Sequence, residues 1–256
     1  MKRILWGIAK PLLMLYVIGG ILLFVLQRDL LYKPSAKTEH EYKEEIIKSE
    51  GEELRLIVLN EGKEKALMYF GGNSEAVLTL AKKRAEAFAN YTVYLVNYRG
   101  FGGSTGKATQ TALYADALVQ YDAVKAKHKE VHLMGRSLGS GVSTYVASKR
   151  DVSKIALITP YDSVVNVAQA KYPMYPIDLI LKDKFDSVQN LSTVKTTKVL
   201  IVMAEGDEII PNEHSYALAD SIAKENVQVE IIKGQSHNSI SHAEGYFDVL
   251  NGFFGS

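Results

Sequence analysis

Hydrophobic and polar positions divide the chain into two unlike parts. From 4 to 26 the run ILWGIAKPLLMLYVIGGILLFVL carries one charge, Lys10. After it, short β-rich runs alternate with longer segments of helical spacing. Strands are predicted at 54–60, 65–70, 92–98, 131–134, 154–159, 198–204 and 227–232, and helices at 75–88, 109–126, 138–149, 212–223 and 242–253. Fully apolar strands that alternate with helices imply a βαβ rhythm and a largely parallel sheet of about eight strands. The fold class is therefore α/β. One stretch, 161–197, is too long for a simple crossover and holds Pro173, Pro176 and the apolar run KYPMYPIDLILKDKF. It reads as a small cap-like insertion. The expected organisation is an N-terminal membrane anchor at 1–33, a polar linker at 34–48 and one folded domain at 49–256.

As a helix, the 23 residues from 4 to 26 would rise ~34 Å, enough to cross a bilayer core of ~30 Å. Lys10 lies close enough to the amino end to snorkel, and the following QRDLLYKP shows no small-x-small cleavage pattern, so an uncleaved anchor is expected. Lys2, Arg3 and Lys10 precede Pro11–Leu26, against Arg28 and Lys33 with Asp29 after it. That bias predicts an inside N-terminus and a folded domain on the non-cytoplasmic side of a single-pass membrane protein. The anchor is expected to hold the protein without serving its chemistry.

Composition narrows the chemistry. A formal net charge of +1 offers no field for nucleic acid, and a chain with no cysteine has no disulfide, thiol nucleophile or thiolate metal site. The serine chemistry read below calls for no metal or organic cofactor.

Two segments fit G-x-S-x-G, around Ser104 and Ser137. A nucleophile elbow needs a strand running into the serine and a helix leaving from it, so that a strained turn lifts the hydroxyl above the sheet edge. Ser137 follows VHLMG and opens SLGSGVSTYVASK, whereas Ser104 sits in the glycine-rich loop RGFGGSTGKA. Ser137 is the candidate nucleophile and Ser104 a loop residue. A serine hydroxyl needs a positioned base, and in such a fold the order is Ser, then Asp or Glu, then His, each after a strand. His237, in GQSHN after VQVEIIK, meets that order; His40, His128, His132, His214 and His242 read as surface or structural. Asp207 follows KVLIVMA and is the candidate acid, with Glu205, Glu208 and Asp162 as rivals. Backbone N–H groups of Leu138 and of Asn73, or alternatively Gly72, are the candidate oxyanion donors. Tyr161, Met174 and Tyr175, in an apolar segment stiffened by proline, are expected to wall an acyl pocket.

Taken in order, YFGGN, NYRGFGGSTG, GRSLGSG, LILKDKFDS, AEGDEIIP and GQSHN resemble the bud-emergence-type α/β-hydrolases, single-pass membrane serine hydrolases within the alpha/beta-hydrolase-domain family. The resemblance spans 50–255. It implies the α/β-hydrolase fold, with Ser137, Asp207 and His237 as nucleophile, acid and base. It also implies cleavage of a small-molecule or lipid-like acyl ester or thioester through an acyl-enzyme. Alternatives are a peptidase on the same fold, or a catalytically silent membrane protein that binds a partner. In one place the chain departs from the family: relatives usually carry His before Gly-Asn, where this chain has Gly71, which removes a side chain that could brace the oxyanion loop.

Overall fold

The computed structural model describes the backbone of residues 2–255 and the side chains of residues 9–255. The side chains of Lys2 and Arg3, which contribute to the charge bias above, lie outside the described residues. The first element is a helix, α1 (Lys2–Leu31). Its stretch Ala9–Leu31 is long and apolar enough to cross a membrane by length and composition.

A hairpin follows, β1 (Lys43–Ser49) and β2 (Glu52–Leu59), turned at Glu50 and Gly51, whose φ angles of 48° and 85° suit a two-residue hairpin turn. Most of β1 was expected to be linker. Its sequence KEEIIKS is charged because it is an edge strand, and edge charges both hide the strand from a periodicity reading and discourage pairing with another chain.

The remaining elements are β3 (Lys65–Phe70), α2 (Ala81–Ala87), β4 (Tyr91–Val96), α3 (Gln110–Lys125), β5 (Glu130–Arg136), α4 (Leu138–Lys149) and β6 (Lys154–Ile158). An insertion of three short helices comes next, α5 (Val164–Lys171), α6 (Ile177–Ile180) and α7 (Ser187–Ser192). The chain then completes β7 (Lys198–Ala204), α8 (Asn212–Asp220), β8 (Val227–Ile232) and α9 (Tyr246–Gly255). The eight strands order as β1-β2-β4-β3-β5-β6-β7-β8. β1, β2 and β4 pair antiparallel; from β4 through β8 every pairing is parallel.

The parallel strands are apolar on both faces because helices cover both. On one face Met68, Phe70, Leu133, Leu157 and Ile201 pack with Leu113 and Tyr121 of α3 and Val142 and Val146 of α4. On the other, Leu67, Tyr69, Met134, Ile158 and Val202 pack with Ala81 of α2 and Leu250 and Phe254 of α9. All the parallel strands point their carboxyl ends to one edge. The turns leaving that edge carry every candidate site residue from the sheet.

Candidate active site

The parallel ladder runs past Arg136 into Ser137, whose N–H donates to the Ile158 carbonyl at 2.9 Å. The chain then reverses into α4 with Ser137 at φ 50° and ψ −116°, a conformation that costs a non-glycine residue roughly 1–3 kcal/mol. The turn is tight because α4 starts against β3. A Cβ at Gly139 would collide with the carbonyl of Phe70, and one at Gly135 with the carbonyl of Gly139, so both flanking positions admit only glycine.

Asp207 lies after β7 and His237 after β8. His237 Nδ1 stands 2.8 Å from Asp207 Oδ2 and 3.0 Å from Oδ1, and its Nε2 lies 3.1 Å from Ser137 Oγ. Asp207 Oδ1 also accepts the N–H groups of Ile209 and Ile210, at 3.0 and 2.8 Å. Those bonds fix the carboxylate, which fixes the imidazole: with Nδ1 as donor to Asp207, Nε2 is left as acceptor toward the serine. Both the histidine and the aspartate side chains are buried, so water does not compete for the bond between them. Ser104 is placed far differently: its hydroxyl donates to the Asn97 carbonyl and accepts the N–H of Arg55, which ties a loop to β2.

Leu138 and Asn73 both line the cavity beside Ser137. Among the described residues no acceptor takes either N–H, while the N–H of Gly72 is already held by Glu75 Oε2 at 2.8 Å. Asn73 is thus better disposed than Gly72 to meet a developing oxyanion.

Glu75 braces the loop beside Gly71, which has no side chain of its own to do so. Its carboxylate accepts from Gly72 of the oxyanion loop, from Arg136 Nη1 at 3.1 Å, from Arg84 Nη2 at 2.9 Å and from the Tyr69 hydroxyl. Arg136 in turn donates to the His237 carbonyl at 2.8 Å. One buried ion cluster therefore ties together the loop at Gly72, the turn at Ser137 and the loop that carries His237. Burial works against the Glu75 charge, but Arg84 and Arg136 outweigh it and hold the carboxyl below its usual range. A Cβ at Gly71 would press on Val77, so the loop has closed over the space a larger residue would need. Sequence reading missed Glu75 and Arg136. The one available signal was an arginine in the variable position directly before the nucleophile, where a buried charge demands a partner.

The cavity at Ser137 has a volume of about 280 Å³ and is walled mainly by apolar side chains of the insertion and of the Ile209–Ile210 turn. Tyr161 lines it, and its hydroxyl donates to the Leu138 carbonyl at 3.3 Å. Met174 and Tyr175 do not line it. Met174 is 69% exposed and the Tyr175 ring stacks on Tyr16 of α1, centroids 4.8 Å apart. The correction has a simple cause: between two prolines the segment has no regular period, so apolar content did not reveal which side chains face inward. Other apolar residues of the same segment, Tyr172, Ile177, Ile180 and Leu181, do line it, joined by Val164 and Val167 of α5. Leu23, Gln27, Leu30 and Leu31 of α1 share it, contrary to the expectation that the anchor stands apart from the chemistry.

A family model described as alpha/beta hydrolase fold matches residues 70–186, from the end of β3 to the start of α7. The esterase Pf2001 of Pyrococcus furiosus superposes with a TM-score of 0.72 over 88% of this chain and 98% of its own, at 16% identity. The chain has the α/β-hydrolase fold. Among curated proteins, it is similar to human protein ABHD12B, 30% identical over 202 residues that cover 67% of this chain and 55% of that protein. Human alpha/beta hydrolase domain-containing protein 17B is 27% identical over 168 residues, covering 64% of this chain and 56% of its own. The chain spans about half the length of the curated relatives it matches. The matched region of the family model contains the oxyanion loop and Ser137, while Asp207 and His237 lie beyond it.

Proposed function

We propose that the chain is a serine hydrolase that cleaves carboxylic esters or thioesters through an acyl-enzyme, with α1 holding it at a membrane. The observation that carries the reading is the unbroken relay from Asp207 through His237 to the hydroxyl of Ser137, set on a strained elbow beside two uncommitted N–H groups.

In this reading His237 Nε2 takes the proton of Ser137 as Oγ attacks the substrate carbonyl, and Asp207 stabilises the imidazolium that forms. The carbonyl oxygen becomes an oxyanion held by the N–H groups of Asn73 and Leu138. Collapse of the tetrahedral intermediate breaks the bond to the alcohol or thiol, which leaves with the proton from His237. Water, deprotonated by the same nitrogen, then attacks the acyl-serine; the acid departs and Ser137 regains its proton. The apolar lining favours an acyl chain over a polypeptide, whose backbone polar groups would lose their hydrogen bonds to water there.

Turnover of matched butanoyl ester, thioester and amide substrates tests the assignment, together with the intact mass of enzyme quenched during turnover. The expected result is hydrolysis of the ester and thioester, with an added butanoyl mass on the peptide that holds Ser137. Cleavage of the amide alone would move the reading to a peptidase, and inertness toward all three would leave a binding protein.

A further inference from the structure

Leu23, Gln27, Leu30 and Leu31 recur every three or four residues, so one face of α1 completes the cavity that the rest of the chain leaves open. That face is held by a built seam. Gln27, the polar residue that follows the apolar run, is 7% exposed; its Nε2 donates to the Ile180 carbonyl at 3.1 Å and its Oε1 accepts the Lys182 N–H at 2.6 Å. One residue on, Arg28 Nε donates to Asp183 at 2.9 Å. Further back along the helix the Tyr16 hydroxyl donates to the Met174 carbonyl at 3.0 Å. Gly19 allows the Tyr175 ring to lie against the helix, since a Cβ there would collide with the tyrosine hydroxyl. At the other end the Lys33 N–H donates to Asn73 Oδ1 at 2.7 Å, joining the end of α1 to the oxyanion loop.

The seam also sets a depth. Arg28 and Lys182, whose ammonium stands 4.3 Å over the Phe24 ring, belong at headgroup level if α1 enters a bilayer. Tyr16 lies three helical turns away, ~18 Å along the axis, while one leaflet of hydrocarbon is about 15 Å deep. The Met174–Tyr175 tip, bonded to Tyr16, would then sit in hydrocarbon. Its exposed side chains there are Met174 and the flanking Pro173 and Pro176, which hydrocarbon solvates better than water does, while the exposed Lys171 at its base borders the cavity.

Resting on the serine-hydrolase reading, we infer that α1 and the insertion form one membrane-embedded wall of the acyl pocket. The substrate is a long-chain acyl ester or thioester resident in the bilayer, and its chain enters sideways between α1 and the insertion to place the scissile carbonyl at Ser137.

The test uses the full chain in phosphatidylcholine vesicles. Leu23→Trp and Leu31→Trp, on the cavity face, are compared with Leu22→Trp and Val25→Trp, whose side chains are 52% and 64% exposed on α1. The cavity-face variants should lower the ratio of kcat/KM for hexadecanoyl over butanoyl esters by tenfold or more, and the outer-face variants should change it by less than twofold. The same ratio in all four would overturn the inference while leaving Ser137 as nucleophile. A second measurement needs no turnover: because the chain has no cysteine, Met174→Cys can carry a single nitroxide. Collisions with oxygen should dominate over those with a water-soluble nickel complex. Nickel access equal to that at a label on exposed Glu64→Cys would place the tip in water and overturn the membrane-embedded wall even if ester hydrolysis is intact.

Discussion

Two aspartate–histidine pairs stand at the carboxyl edge of this sheet with nearly the same geometry. His237 Nδ1 lies 2.8 Å from Asp207, and His214 Nδ1 lies 3.0 Å from Asp162. Both histidines are buried. They differ in what the far nitrogen meets. His237 Nε2 faces the hydroxyl of a residue forced to positive φ, whereas His214 Nε2 has no hydrogen-bond partner among the described residues and stands 3.9 Å from Glu213 Oε1. They differ also in what the carboxylate holds. Asp207 is bonded within its own turn. Asp162 accepts from the Ser163 N–H and the Asn166 side-chain amide, while its carbonyl takes the N–H of Ser187, so it knits α5, α7 and α8 together. An Asp–His pair alone therefore does not mark the candidate site; the strained hydroxyl in front of His237 sets that pair apart.

The largest effects should separate Ser137 from everything else. Ser137→Ala is expected to remove ester turnover down to the residual left by the oxyanion donors and binding, a loss on the order of 10⁵–10⁶ in kcat, while Ser104→Ala keeps most of it. Matching losses in steady-state kinetics would dissolve the distinction between elbow and loop.

Next come the two pairs. Asp207→Asn should lower kcat by about 10⁴ with little change in unfolding free energy, because it disturbs the tautomer and not the fold. Asp162→Asn should do the reverse, leaving kcat within a few-fold and lowering stability in urea by roughly 1–3 kcal/mol. If Asp162→Asn loses turnover as severely as Asp207→Asn, the two pairs are not functionally distinct.

A smaller effect concerns the brace. Glu75→Gln should lower kcat by roughly 10- to 100-fold with KM for a short ester little changed, since a hydrogen-bond network that positions the oxyanion loop acts on the transition state. As its carboxyl is depressed in the folded state, the stability it adds is present above its ordinary value of 4.5 and is lost as pH falls through the lower folded value. Unfolding curves that show no acid-side difference between Glu75→Gln and wild type would argue against the cluster.

The smallest effect on turnover is remote from the site and falls on stability alone. Burial, with Lys154 and Lys65 adding to it, pushes His132 down from 6.5 to about 4. The unfolded chain therefore takes up a proton first, and stability should drain as pH falls from 6.5 toward 4, by up to about 3 kcal/mol. In His132→Gln that part of the acid loss should vanish. An unchanged pH profile would mean His132 is not held neutral.

Sequence legibility followed the same divide. Ser137, Asp207 and His237 could be placed because each follows an apolar strand, and strand ends are marked by period and glycine. Glu75 and Arg136 could not, since their pairing joins residues from two different strand ends and leaves no periodic trace. β1 was hidden by its charges. Met174 and Tyr175 were misplaced for want of a period, and the α1 wall depends on contacts between residues more than a hundred positions apart.

The most direct measurement is labelling with an alkyl fluorophosphonate, whose tetrahedral phosphorus resembles the acyl-transfer intermediate, followed by mass spectrometry of the digested protein. The account predicts one adduct, on Ser137, formed at the wild-type rate in His214→Ala and far more slowly in His237→Ala. An adduct that persists in Ser137→Ala, or labelling that depends on His214 as much as on His237, would contradict it.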